Sequence, residues 1–255
     1  MRCFEMRISF NSAAEIYDKT RGPPRHVMKQ LLKTLISELR GHETILDVGV
    51  GTGRFAKPLQ DNGFEVVGVD IAKKMISKAV EKNVENLLLG DACFLPFKGD
   101  SFDVAVCVHL LHLISEWKMA LQEICRVTQK FMVSIFYVRE NPIQEAYDRL
   151  LKGYGYESRR LGKGEWELKD LVKPSKSVFV ASYDSSADRR LAYLSQRVYS
   201  SQWKIPNDVN RKVVDKLKSQ FGGKVFPQEL QILIWNINDL KAYCNGSISD
   251  VFSEG

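Results

Sequence analysis

The chain has 255 residues, 44% of them apolar and 27% charged, with a formal net charge of +6. That suits one α/β domain carrying an insertion, and no apolar run approaches the roughly 20 residues needed to cross a bilayer. Five scattered cysteines (Cys3, Cys93, Cys107, Cys125, Cys244) and four histidines show no metal spacing, so a reduced, cytoplasmic chain without a zinc site is expected. The first seven residues lack the apolar core of a signal peptide.

Residues 11–40 read as helical, with a break at Gly22-Pro23-Pro24. A short apolar run then ends in an acid and three alternating glycines: Ile45-Leu46-Asp47-Val48-Gly49-Val50-Gly51-Thr52-Gly53. Physically this is a strand turning tightly toward a helix. Glycine permits the positive φ and close backbone approach of such a turn. Bare N–H groups beyond the strand would let a polar ligand lie there. A dinucleotide fingerprint would need its third glycine at position 54, which is Arg54.

A second β-rich run, 64–71, ends in Asp70, about twenty residues past the first glycine; an acid there takes ribose hydroxyls in doubly wound folds. A third run, 86–89, leads into Gly90-Asp91-Ala92, and a fourth, 102–108, ends at His109. The informative residues thus fall at the carboxyl ends of parallel strands, where open α/β sheets bind ligands. A helix is predicted over about 115–128, with Met119, Leu121, Ile124 and Val127 at helical spacing. Residues 131–137 read as a fifth, fully buried strand. The rhythm then changes. Residues 139–176, with Tyr147, Tyr154, Tyr156 and Trp166, read as helix plus loops. A strand at 177–183, helices at 186–199 and 207–221, and a last strand at 228–237 follow.

The Asp47–Gly53 loop, Asp70, Gly90-Asp91-Ala92 with Leu95-Pro96-Phe97, and Ser101-Phe102-Asp103 leading to His109-Leu110-Leu111-His112-Leu113 occur in one order. Over roughly residues 10–137 the chain resembles the class I S-adenosylmethionine-dependent methyltransferases, in particular the small-molecule branch with the ubiquinone/menaquinone-type methylases. The resemblance implies a doubly wound α/β fold: a seven-stranded, mostly parallel Rossmann-like sheet with the last strand antiparallel and a helical lid inserted after strand five. A single domain over 1–255 is expected, with 10–137 as cofactor-binding half, 139–224 as lid and substrate insertion, and 225–240 as last strand.

The resemblance also implies roles. Gly49, Gly51 and Gly53 would admit the methionine part of S-adenosyl-L-methionine. Asp47 would hold that end through its ammonium or a water; a loop-bracing carboxylate is the alternative. Asp70 would accept from both ribose hydroxyls, or else cap the following helix. Ile71 and Met75 would sandwich adenine, although Met75 suits a core equally. Asp91 would accept the adenine amino hydrogens, with the Ala92 N–H at a ring nitrogen; a simple turn aspartate is the alternative. Tyr17 and Arg21 would cover the cofactor and its carboxylate, and Val108 is counted with the cofactor-binding residues. His109 and His112 are the candidates to orient the acceptor or take its proton. The chain departs from the family where relatives carry Pro-Gly-Gly; here stands Val127-Thr128-Gln129-Lys130.

Residues 139–224 hold 18 basic and 11 acidic residues, against 19 and 20 elsewhere. Such an excess is either a footprint for RNA or an anionic substrate, or solvated helix faces of mixed sign. A small-molecule methyl acceptor is expected. An RNA methyltransferase and a non-catalytic cofactor-binding protein are the alternatives.

Overall fold

In the computed structural model, which describes residues 10–138, 142–158 and 163–249, the apolar runs become a seven-stranded sheet of order β3-β2-β1-β4-β5-β7-β6. β1 (Thr44–Val48), β2 (Glu65–Asp70), β3 (Leu87–Leu89), β4 (Phe102–Cys107) and β5 (Thr128–Tyr137) are parallel. β7 (Val225–Asn236) is antiparallel to its neighbours β5 and β6 (Lys176–Ser186), the fold class that the resemblance implied. Central β1 and β4 are buried nearly throughout, because a parallel sheet is covered on both faces. This is why their sequences read as continuous apolar runs ending abruptly in polar residues.

The helical expectation near the N-terminus is corrected in part. Residues 11–16 form turns, and α1 (Tyr17–Thr20) is a single turn of helix. The chain breaks at Gly22–Pro24 as expected, since proline disfavours helix in the residue before it. α2 (Arg25–Leu39) then buries Val27, Leu31, Leu35 and Leu39, four residues apart on one face. α3 (Ala56–Gln60) follows the glycine loop, and α4 (Lys73–Glu81) follows β2. α5 (Trp117–Val127) is the expected helix, but its inner face is Trp117, Ala120, Leu121, Ile124, Cys125 and Val127. Met119 lies off that stripe and is 38% exposed.

β5 begins at Thr128, directly after α5, so no turn of the Pro-Gly-Gly kind is needed. It starts three residues before the expected 131–137, and that stretch is not fully buried: Phe131, Phe136 and Tyr137 are half-buried, and burial is complete only from Met132 to Ile135. The last strand stops at Asn236, short of the expected 225–240 segment, and α10 (Ile237–Ser249), for which no element is expected from the sequence, follows.

The described chain divides into two compact units. The first holds residues 10–136, 163–179 and 231–249, including α7 (Glu165–Leu171). The second holds 137–138, 142–158 and 180–230. Its own core joins α6 (Pro142–Lys152), α8 (Ala187–Ser195) and α9 (Asn207–Phe221). Inside that core the Tyr147 hydroxyl donates to Asn210 Oδ1 at 2.7 Å, and Gln202 Nε2 donates to the same oxygen at 2.9 Å. Tyr154, Tyr156 and Tyr199 pack against this core, and the Arg190 guanidinium lies 4.0 Å from the Tyr199 ring centroid.

Candidate active site

Everything described here belongs to the first unit. After β1 the chain stays bonded to β2: the Gly49 and Val50 N–H groups both donate to Val69 O, at 2.8 and 3.0 Å. The Gly51 N–H donates to Asp70 Oδ2 at 2.8 Å, and the Ala72 N–H donates to Asp70 Oδ1 at 2.7 Å. Asp70 therefore braces the glycine loop and the approach to α4, whose N-cap is Ala72 rather than Asp70. Each carboxylate oxygen retains a second acceptor site for a ligand hydroxyl. Burial raises the Asp70 pKa, against the Ala72, Gly51 and Ile71 N–H groups.

The loop glycines serve different ends. Gly51 has φ +57°, and a Cβ there would meet nothing nearer than the Gly49 carbonyl at 3.8 Å, so its face is uncovered backbone. At Gly53 a Cβ would lie 2.5 Å from Val84 Cγ2 and 3.3 Å from Ala79 Cβ. The missing side chain of Gly53 lets the loop pack on α4 and its C-terminal turn rather than opening space for a ligand. Nor do bare N–H groups at the start of α3 face the strand end freely: the Lys57 and Leu59 N–H groups bond to Gly53 O and Phe55 O.

Asp47 is 3% exposed, and its Oδ2 has no hydrogen-bond partner among the described residues. Burial pushes its pKa up to about 7; Asp70 adds to the rise, and the Ala56 N–H opposes it. A buried carboxylate with an unsatisfied oxygen is costly unless something cationic or hydrogen-bonding completes it.

The N-terminal segment borders this loop. Thr52 Oγ1 donates to Asp18 Oδ1 at 2.7 Å, Arg54 reaches the same oxygen at 3.4 Å, and Lys82 pairs with Asp18 as well. The Tyr17 ring has the Arg54 and Arg21 guanidinium carbons 5.3 and 5.8 Å from its centroid. Burial raises the Tyr17 pKa and the two arginines lower it, while Asp70 and Asp18 raise it further. Met75 is buried with Ala14 and Ala72, and Phe10 and Tyr17 pack on them, so it is core here. Ile71 and Val108 are half-buried. The Cys93 N–H donates to Asp91 Oδ1 at 2.9 Å, which makes Asp91 a turn-forming residue beside buried Ala92.

Beyond β4, His109 has φ +56°, a left-handed conformation uncommon outside glycine. Desolvation holds its pKa down to about 4; Glu165 opposes the shift, while His112, Arg54 and Arg21 add to it. The residue is nevertheless exposed on its outer side, which tempers the desolvation. A Cβ at Gly49 would meet Leu110 Cδ1 at 3.0 Å, so this loop abuts the glycine loop. His112 follows on one turn of 3-10 helix, Leu111–Leu113, its ring centroid 5.0 Å from that of Trp166.

The residue that sequence reasoning missed is Glu165. It is 2% exposed, and its Oε1 accepts from the Leu110 N–H at 2.6 Å, the Leu111 N–H at 3.1 Å and Cys107 Sγ at 3.5 Å. Burial alone would raise its pKa, but His112, His109 and the Leu110 N–H overcome that and hold it at about 2. The one available signal was an acid beside Trp166 just after Gly164, at a helix start.

The profile of the methyltransferase domain family matches residues 46–131, the stretch from β1 into β5 that carries most of these groups. An uncharacterized methyltransferase of Bacillus subtilis, YcgJ, is 32% identical over 148 residues, 54% of this chain and 58% of that protein. Demethylmenaquinone methyltransferase of Renibacterium salmoninarum is 31% identical over 131 residues, 49% of this chain and 54% of that one. The matches to these two relatives span little more than half of their length. A solved structure from Thermotoga maritima, titled a methyltransferase and possible histamine N-methyltransferase, shares the fold with a TM-score of 0.53 and 19% identity, over 89% of this chain and 97% of that one. Residues 46–131 are thus similar to the methyltransferase domain family, and the sheet order agrees with the fold that the resemblance to class I S-adenosylmethionine-dependent methyltransferases implied.

Proposed function

We propose that the chain moves the methyl group of S-adenosylmethionine to a small-molecule acceptor. The observation that carries this reading is the pairing of uncovered backbone at Gly51 with the unsatisfied, buried oxygen of Asp47. A zwitterionic amino-acid tail suits such a cradle: its ammonium would complete Asp47, and Arg21 or Arg54 would answer its carboxylate. Asp70 retains lone pairs for the ribose hydroxyls, and Asp91 stands at the end of β3 for the adenine amino group. Met75, enclosed by its own neighbours, is left out of the adenine site, and Ile71 is kept.

When bound, the cofactor supplies an electrophilic methyl on a sulfonium, which needs no metal to react. The chain's part is to hold the acceptor in line and exclude water; such positioning can lower a barrier by ~7–11 kcal/mol. His109 and His112 stand beyond β4 to orient the acceptor or take its proton. The scattered cysteines, without paired spacing, are the ground for proposing a reduced, cytoplasmic setting. No described helix is long and apolar enough to cross a membrane.

The small-molecule acceptor is favoured over RNA because the charges of the second unit are mixed: Asp208 pairs with Lys212 and Asp215 with Lys218 on α9. Titration calorimetry with S-adenosylmethionine, followed by a labelled-methyl screen of small acceptors beside unmodified tRNA, tests the proposal. Label passing to a small acceptor supports it; label passing to tRNA alone replaces it with the RNA reading.

A further inference from the structure

Two buried polar atoms near β4 face each other without hydrogen-bond partners among the described residues: Glu165 Oε2 and His112 Nδ1. They lie 4.0 Å apart, too far for a hydrogen bond and close enough for one after a small adjustment. The other carboxylate oxygen, Oε1, is held by the Leu110 and Leu111 N–H groups, which fixes the carboxylate plane and aims Oε2 at the ring. Trp166, the next residue on α7, packs beside the same imidazole, the ring centroids 5.0 Å apart and the planes tilted by 49°. The ring is 22% exposed, while the carboxylate is nearly sealed at 3%.

We infer that Glu165 and His112 form a carboxylate–imidazole dyad in which the carboxylate keeps the ring proton on Nδ1, so that Nε2 is the proton acceptor. Resting on the methyl-transfer reading, this assigns the base to His112 rather than His109. An ionised carboxylate only accepts hydrogen bonds, so a neutral ring beside it must present Nδ1–H. The proton leaving the acceptor's O–H or N–H then goes to Nε2. The resulting imidazolium keeps its Nδ1–H toward Glu165, whose charge stabilises it, and later releases the Nε2 proton to solvent. Glu165 is a positioning residue: it touches no substrate, and through Leu110 and Leu111 it also sets the loop that carries His109. Desolvation lowers the His109 pKa, which weakens it as a base.

Glu165→Gln makes the test sharp. The Leu110 and Leu111 N–H groups require the glutamine oxygen at the Oε1 position, so its amide N–H₂ must face His112. A donor there demands a bare Nδ1, and the ring proton moves to Nε2. Nitrogen-15 NMR of the four imidazoles near neutral pH reads this directly. The expected result is an Nδ1–H tautomer for His112 in the wild-type protein, the less common form of free histidine, and reversal to Nε2–H in Glu165→Gln. An Nε2–H tautomer in the wild-type protein, or no change in the variant, overturns the dyad; the wild-type measurement needs no variant to fold. Calorimetry on both proteins separates the two levels of inference. S-adenosylmethionine affinity equal within about twofold supports a role in proton transfer alone. Absence of binding to either protein overturns the methyl-transfer reading, whatever the tautomer.

Discussion

Replacing Asp47 by asparagine should make the cofactor-free protein more stable at alkaline pH relative to the wild type, while weakening its grip on the cofactor. The native carboxyl has its pKa raised from 3.8 to about 7 by burial and by Asp70. Below the unfolded value both states hold the proton, and Asp47 imposes no penalty. As pH rises through 3.8 the unfolded chain loses its proton while the native state keeps it, so stability falls until about pH 7 and then levels off. At about 1.36 kcal/mol per unit, the full penalty approaches ~4 kcal/mol, of which roughly 2.5 kcal/mol develops between about pH 5 and pH 8. Asparagine carries no such pH-dependent term, although its buried amide costs a constant ~1–3 kcal/mol if it lacks partners. Urea unfolding of both proteins at the two pH values isolates the carboxylate with its coupling to Asp70, because His109 and the other groups not coupled to Asp47 cancel in the difference. Asp47→Asn should gain roughly 2.5 kcal/mol on the wild type between the two conditions. An equal stability difference at both would refute the idea that Asp47 is a desolvated acid awaiting a partner.

Asp70→Ala strands the Gly51 and Ala72 N–H groups and removes the charged partner proposed for the ribose; S-adenosylmethionine affinity should fall by about 1.5–3 kcal/mol in calorimetry on protein shown folded by circular dichroism. Unchanged affinity would remove Asp70 from the ligand site. Gly51→Val places a branched side chain at φ +57° on the uncovered face of the loop; it should abolish cofactor binding with circular dichroism largely retained, and intact binding would reduce the loop to a turn. If RNA is not the substrate, tRNA should bind no better than another polyanion of like charge. A specific affinity for tRNA falling with log salt at about −0.7 per phosphate contact would favour the RNA reading instead.

The strands and the residues at their ends were legible because each rests on a local physical demand. Parallel strands covered on both faces must be apolar throughout, and the chain beyond them must turn. Positive φ at Gly49, Gly51 and Gly53 is visible in the residue type, but the direction each missing side chain would point is not. Gly53 accordingly faces Val84 where ligand space was expected. Glu165 was hidden for another reason. It lies more than fifty residues beyond Leu110, among Lys163, Glu167, Lys169 and Asp170, and only tertiary contact distinguishes it from those solvated charges. α10 was missed although its start carries a readable signal: Asn236 Oδ1 accepts from the Asn238 N–H at 2.9 Å, the type of side-chain bond that opens helices. Met119 was misplaced because an apolar residue one position off a helical stripe turns by about 100° to the outside.

The central claim is that the carboxyl ends of β1, β2 and β3 form a cradle for S-adenosylmethionine. Titration of the purified protein with S-adenosylhomocysteine in two buffers of different ionisation enthalpy, near pH 7, tests it most directly. The account predicts saturable one-to-one binding with release of a fraction of a proton, as the ligand's ammonium ionises Asp47, and loss of that proton release in Asp47→Asn. No binding, or binding with the same proton release in wild type and Asp47→Asn, would contradict it.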